Sequence, residues 1–222
     1  MNPPTRPPVT PEARGKARLL FQEAASGAAC MERAFARISP DLMNGVRWKG
    51  ARGSERAILR IRELMPRPPD LFGGRLVGWR YLAVLPAIPG DEPNASQPCL
   101  AVKAIIAQHK KPGAGAGLFG LIVSLHAVER AYQRAPDINV TASIFAAHNA
   151  LLALESEGPQ VFALSRFPLP CAGGLFLASP SYVGPERSPV AVCHTFVATD
   201  MAFSDQARDV AAWQRLLDQA TA

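Results

Sequence analysis

Proline and glycine cut this chain into short segments, and the hydrophobic period changes from one segment to the next. The 222 residues include 21 prolines and 17 glycines. Stretches with an apolar residue every three or four positions alternate with short runs rich in aromatic and β-branched residues. Read in order, the segments run α-α-β-β-α-α-β-β-β-α. Strands and helices cluster in pairs, which predicts an α+β fold and not a doubly wound parallel sheet. The expected architecture is a small helical N-terminal unit, then a mixed, mainly antiparallel sheet packed against two central apolar helices, then a C-terminal helix. Residues 1–10 read as a disordered Pro-rich tail, 11–70 as a helical basic region and 71–222 as the α+β body, with a boundary near Pro66 to Gly74.

The individual segments carry local signals. Thr10 is an N-cap candidate, with Pro11 at the first helical position and Glu12 in the first turn. Leu19, Leu20, Ala24, Ala28, Met31, Phe35 and Ile38 step as one helix face, and Pro40 is the expected stop. A second helix is expected from Ser54, with Ala57, Ile58, Ile61, Leu64 and Met65 inward. RLVGWRYLAVLPAI and CLAVKAIIAQHKK read as two antiparallel strands across a polar turn. A helix is expected over Leu118 to Arg134 and another over Thr141 to Ser156. VFALSRF, GLFLASPSYV and VAVCHTFVA read as strands, and Ser204 caps the last helix.

Charge is unevenly spread. From Met1 to Arg80 there are 15 Lys and Arg against 7 Asp and Glu, a balance of +8 within a whole-chain charge of +6. A one-sided basic region favours a polyanionic partner, nucleic acid above all. Only 5 of the 24 basic residues are Lys, so a GC-rich coding bias explains part of the arginine content. Arg52, Arg56 and Arg60 recur every four residues and share a helix face, with Arg47, Trp48 and Lys49 just before them. Guanidinium forks grip phosphate oxygens, and an aromatic ring stacks on a base.

Lys110 and Lys111 open a second basic element, a glycine-rich stretch to Gly117. Gly115, Gly117 and Gly120 satisfy G-x-G-x-x-G, between an expected strand and an expected helix. The βαβ unit that would make this a dinucleotide site is absent from the pattern, and Asp137 stands between two helices. No Lys-Ser or Lys-Thr follows, which excludes a Walker-type loop. A plain flexible hairpin or connector is the commoner use of such a stretch, and contact with a phosphate backbone is the functional use expected of it.

Catalytic and metal signatures are sparse. Cys30, Cys99, Cys171 and Cys193 are never closer than 22 positions, so no zinc knuckle exists, and four reduced thiols are expected. The histidines His109, His126, His148 and His194 lack H-E-x-x-H spacing. Cys193 and His194 are neighbours in an expected strand and should point to opposite faces. No apolar run reaches the roughly 18 residues of a membrane span. The N-terminus shows no signal-peptide core. A cytoplasmic protein without membrane contact, metal or cofactor is expected.

These features favour a non-enzymatic nucleic-acid-binding protein, a subunit of a nucleoprotein assembly. Arg47, Lys49, Arg52, Arg56 and Arg60 would hold the backbone, Lys110 and Lys111 would add a second contact, and Trp48 would stack. An adaptor for other protein subunits is the alternative. A third reading is an enzyme whose site gathers His126, His148 and Cys193.

Overall fold

In a computed structural model of the chain, residues 7–43, 59, 62–63, 65–72, 76–88, 97–107, 114–157, 164–183 and 187–199 are described. The fold is α+β. A helix α1 (Pro11–Met43) leads into a seven-stranded mixed sheet. Its strands are β1 (Asp70–Phe72), β2 (Leu76–Leu85), β3 (Cys99–Ala107), β4 (Ala114–Ser124), β5 (Phe167–Cys171), β6 (Gly174–Val183) and β7 (Ser188–Ala198). Two helices, α2 (Leu125–Arg134) and α3 (Val140–Glu157), lie between β4 and β5. The spatial order is β1-β2-β3-β4-β7-β6-β5.

Every neighbouring pair is antiparallel except β4 and β7, which run parallel with Ile122 opposite Val192. A parallel pair needs a long crossover, and α2 and α3 supply it. That pair sits in the middle of the sheet and is buried on both faces. Leu121, Val123, Ala191 and Cys193 join the main core with all three helices. Ile122, Val190 and Val192 join Cys99 and Ala101 in a second cluster, on alternate positions of the same strands. Each fully buried Leu, Ile or Phe contributes about 1.5–3 kcal/mol.

α1 begins where its cap was expected: Thr10 Oγ1 accepts from the Ala13 amide at 3.2 Å. Ala17, Leu20, Phe21 and Ala24 pack into the main core. One turn further on, Ala28 and Met31 meet Trp79, Tyr81 and Met65 in a separate cluster. The helix continues past Pro40, the expected stop, to Met43. A proline so near the end removes its own donor from the last turns only, and the helix closes within three residues. Before α1, the carbonyls of Pro7 and Pro8 accept from Arg130 Nη1 and Gln133 Nε2 at 2.8 and 2.9 Å.

Two further expectations are corrected. The helix expected from Leu118 is a strand up to Ser124, and α2 starts only at Leu125. Ser124 makes the change of state, with its Oγ accepting from the Ala127 amide at 3.1 Å. The strand expected at VFALSRF lies later, at Phe167–Cys171, and contains Pro168 and Pro170. β5 is an edge strand, and two prolines two residues apart direct their missing donors to the same outer side.

Candidate functional site

A cavity of about 440 Å³ lies where α1 crosses β2 and the start of α3. α1 presents Leu20, Glu23, Ala24, Gly27, Cys30 and Met31 to it, at spacings of three and four that keep one helix edge along the cavity. β2 adds Arg80, Tyr81 and Leu82, α3 adds Thr141 and Phe145, and Pro66 and Arg67 complete the lining. The lining is mostly apolar, with polar groups at few points.

Arg80 is the buried charge of this wall, with 7% of its surface exposed. Its Nη1 donates to Asn149 Oδ1 at 2.6 Å and to the Phe145 carbonyl at 3.3 Å, and lies 3.3 Å from His148 Nδ1. Its guanidinium carbon sits 4.9 Å from the centre of the Phe145 ring. β2 and α3 are therefore tied by one side chain. Burial pulls the Arg80 pKa below its ordinary value; Asp70 works against this and Arg67 adds to it. An arginine starts so high that it stays charged at neutral pH. Arg67 donates to the Arg80 carbonyl and lies 3.5 Å from Asp70, while Trp79 Nε1 donates to the Arg67 carbonyl at 2.7 Å. This backbone-to-side-chain lacing fixes Arg67 against β2.

A second polar arrangement lies where β4 and β7 run side by side. The register of β6 on β7 slips between Leu177 and Ala178, which face Thr195 and Cys193, so His194 is the extra residue of a bulge. Bulges re-aim a side chain. His194 is exposed while Cys193 is buried, the opposite orientation expected of strand neighbours. Ser179 Oγ lies 2.6 Å from His194 Nε2, and Ser124 Oγ donates to the His194 carbonyl at 3.3 Å. A hydroxyl against an imidazole is the first contact of a nucleophile–base pair, and equally a cross-strand hydrogen bond.

The residues expected to hold nucleic acid, Arg47, Trp48, Lys49, Arg52, Arg56, Arg60, Lys110 and Lys111, lie outside the described residues. So does the C-terminal helix capped by Ser204. Leu59, Arg62 and Glu63, within the span expected for the second helix, are helical and exposed. The G-x-G-x-x-G stretch is corrected: Gly115, Gly117 and Gly120 belong to β4, not to a turn that opens a helix. Gly120 takes a positive φ of 69° where the β3–β4 register shifts. A phosphate loop needs amides converging at a helix start, and a strand spends them on its neighbours.

The three residues of the dispersed-enzyme reading meet different surroundings. His126 faces Arg130, with Nε of the arginine 3.4 Å from Nε2 of the imidazole. His148 belongs to the Arg80 cluster. Cys193 lies in the main core, and burial pushes its thiol pKa far up. Burial likewise raises Cys171 to about 12 and Cys99 to about 11. A thiol that stays protonated is a poor nucleophile. Iodoacetamide at neutral pH is therefore expected to modify exposed Cys30 in the folded protein, and the other three only after denaturation. Peptide mapping of native labelling checks this; Cys193 labelled as fast as Cys30 would reverse it.

Sequence reasoning missed Arg80. The one signal is its position, a lone charge inside the apolar run GWRYLAVL. No helix among the described residues is long and apolar enough to cross a membrane. No protein-family model, no curated protein and no solved structure matches the chain.

Proposed function

We propose that this chain is a non-enzymatic nucleic-acid-binding protein, a subunit of a larger nucleoprotein assembly, that holds the phosphate backbone through its basic N-terminal third. What supports this is the placement of arginine along α1. Arg14, Arg18, Arg33 and Arg37 are all exposed. Arg18, Arg33 and Arg37 point away from the stripe of Ala13, Ala17, Leu20, Ala24 and Met31, and Arg14 stands at its border. At about 1.5 Å per residue the four span roughly 35 Å of helix. Charges spread over that length suit an extended polyanion, whereas a compact anion needs them to converge. Two of the helix's acids are engaged by lysines, Glu12 with Lys16 at 2.9 Å and Glu32 with Lys103 at 2.9 Å. They offset the lysines more than the arginines. Arg47, Lys49, Arg52, Arg56 and Arg60 follow α1 directly in the chain and extend the basic region, with Trp48 as the stacking residue and Lys110 and Lys111 as a further contact.

The test is fluorescence anisotropy with labelled single- and double-stranded DNA and RNA across a salt series. One variant carries Arg14, Arg18, Arg33 and Arg37 changed to Ala, and a second carries Arg52, Arg56 and Arg60 changed to Ala. Alanine is a better helix former than arginine, so α1 persists in the first variant. Wild-type binding is expected to fall steeply with salt. Each phosphate contact removed lowers the slope of log K against log salt by about 0.9 on duplex DNA. No binding at low salt to any of the four nucleic acids overturns the proposal. The partner would then be another protein, with association insensitive to salt.

A further inference from the structure

We propose that Arg130 and Gln133 of α2 form a recognition site for an extended Pro-Pro-aliphatic segment, and that the chain's own Pro7, Pro8 and Val9 fill it as a releasable strap. The site is distinct from the basic outer face of α1 and does not rest on nucleic-acid binding.

The two side chains act as one device. Arg130 is buried, with 6% of its surface exposed. Its Nη1 donates to the Pro7 carbonyl and to Gln133 Oε1, both at 2.8 Å. Gln133 Nε2 in turn donates to the Pro8 carbonyl at 2.9 Å. The glutamine amide therefore orients the guanidinium with its oxygen and takes the next carbonyl with its nitrogen. Residues three apart on a helix lie on one side of it, which aims both donors at one stretch of extended backbone. Arg130 Nε faces His126 Nε2 at 3.4 Å, so the acceptors given to this guanidinium are a carbonyl, an amide oxygen and an imidazole. A buried guanidinium committed to such groups holds main chain and is not half of an ion pair.

The segment has what such a site needs. Proline holds φ at about −65° and restricts the residue before it, so Pro7 and Pro8 arrive extended with little freedom to lose. An extended proline segment makes no internal hydrogen bonds, and its carbonyls stay available to side chains. Pro7 and Pro8 are exposed, while Val9 is buried and anchors the segment. Capping of α1 does not account for the contact. Thr10 Oγ1 already accepts from the Ala13 amide, and the Thr10 carbonyl accepts from the Arg14 amide. The contacts with α2 join groups 123 and 125 positions apart. A few hydrogen bonds and one aliphatic side chain hold the strap, which puts it at the low-stability end of the fold.

The same geometry limits the ligand. A helical segment spends its carbonyls on its own amides and offers none to the pair. An acidic residue after the two prolines would bury a charge where Val9 sits. The tethered segment outcompetes a free one through its high effective concentration, so a test with a free peptide must first open the strap.

The experiment is proton–nitrogen NMR on the full chain, with the acetylated and amidated peptide TRPPVT, the sequence of residues 5–10, as the probe. The reporters are the Gln133 side-chain amide and the Arg130 Nε–H, identified by their loss in Gln133→Ala and Arg130→Lys. Val9→Asp is expected to open the strap and move both reporters, and the peptide to return them saturably toward their wild-type positions. Pro7→Gly with Pro8→Gly loosens the strap without placing a charge near the core, and the same return is expected of it. The peptide carrying Val9→Asp is expected to bind at least tenfold more weakly than TRPPVT. Reporters that coincide in wild type and Val9→Asp, reporters that TRPPVT fails to return in either opened form, or equal binding of the two peptides overturns the inference.

Discussion

Gly174→Ala is expected to cost about 3 kcal/mol or more, a large part of the stability of a domain this size. Gly174 opens β6 after a two-residue connection from β5, opposite Cys171 on one side and Ala198 on the other. A Cβ at this position would stand 2.2 Å from the Val197 carbonyl oxygen and 3.0 Å from Ala198 Cα. Both are backbone atoms of β7. They cannot retreat without opening the ladder that runs from Gly174–Ala198 to Val183–Ser188. The third neighbour, Phe196 Cζ at 2.7 Å, belongs to an edge-to-face pair with Phe176 in the core. Gly173, next door, has a positive φ of 79°, but its nearest neighbour at 2.6 Å is the Ile138 Cγ2 methyl, which turns more easily than a strand. Urea unfolding followed by circular dichroism is the measurement, with a lower midpoint at unchanged m expected. Gly15→Ala is the control: it sits on α1 with nothing within 4 Å of the added carbon, and should gain up to about 1 kcal/mol. A Gly174→Ala midpoint equal to wild type would mean that β6 does not lie on β7 as described.

Much of the fold was legible because Pro and Gly bracket its strands. β2, β3, β6 and β7 fall on the runs expected, and β2 pairs with β3 antiparallel across the polar turn. β4 was hidden for a physical reason. Leu118 to Leu125 is apolar at almost every position, so a period near 3.6 and a period of 2 fit it equally. What decides is burial on both faces beside β7, a strand some 70 residues later in the chain. β5 was hidden by its prolines, which forbid a central strand and are harmless at an edge.

The candidate sites divide along a similar line. Arginines at four-residue spacing can be seen without a structure, since helix periodicity alone gathers them on one side. Arg80 could not be seen that way. One charge in an apolar strand reads as an alternate position facing water. Its partners are Phe145, His148 and Asn149, 65 to 69 positions away, and only the packing of α3 on β2 makes them neighbours. The glycines of β4 show the reverse case, a local pattern whose meaning was reversed by the sheet around it.

Arg80→Ala is expected to be the other severe change, at about 3 kcal/mol or more. Truncation takes the donor from the Asn149 amide oxygen and the Phe145 carbonyl, and leaves a void beside the existing cavity. Arg80→Met separates the two effects, since methionine refills most of the volume without the charge, and about half the loss should return. Asn149→Ala removes the shortest contact, at 2.6 Å, from an exposed residue, and should cost about 1 kcal/mol alone. A double-mutant cycle of Arg80→Met with Asn149→Ala should then show a coupling of up to about 1 kcal/mol. Coupling near zero would mean that the guanidinium does not hold α3 to β2. Buried ionic groups are often less stabilising than apolar residues of the same volume. A methionine variant as stable as wild type would show that the buried guanidinium adds nothing over apolar packing at this position.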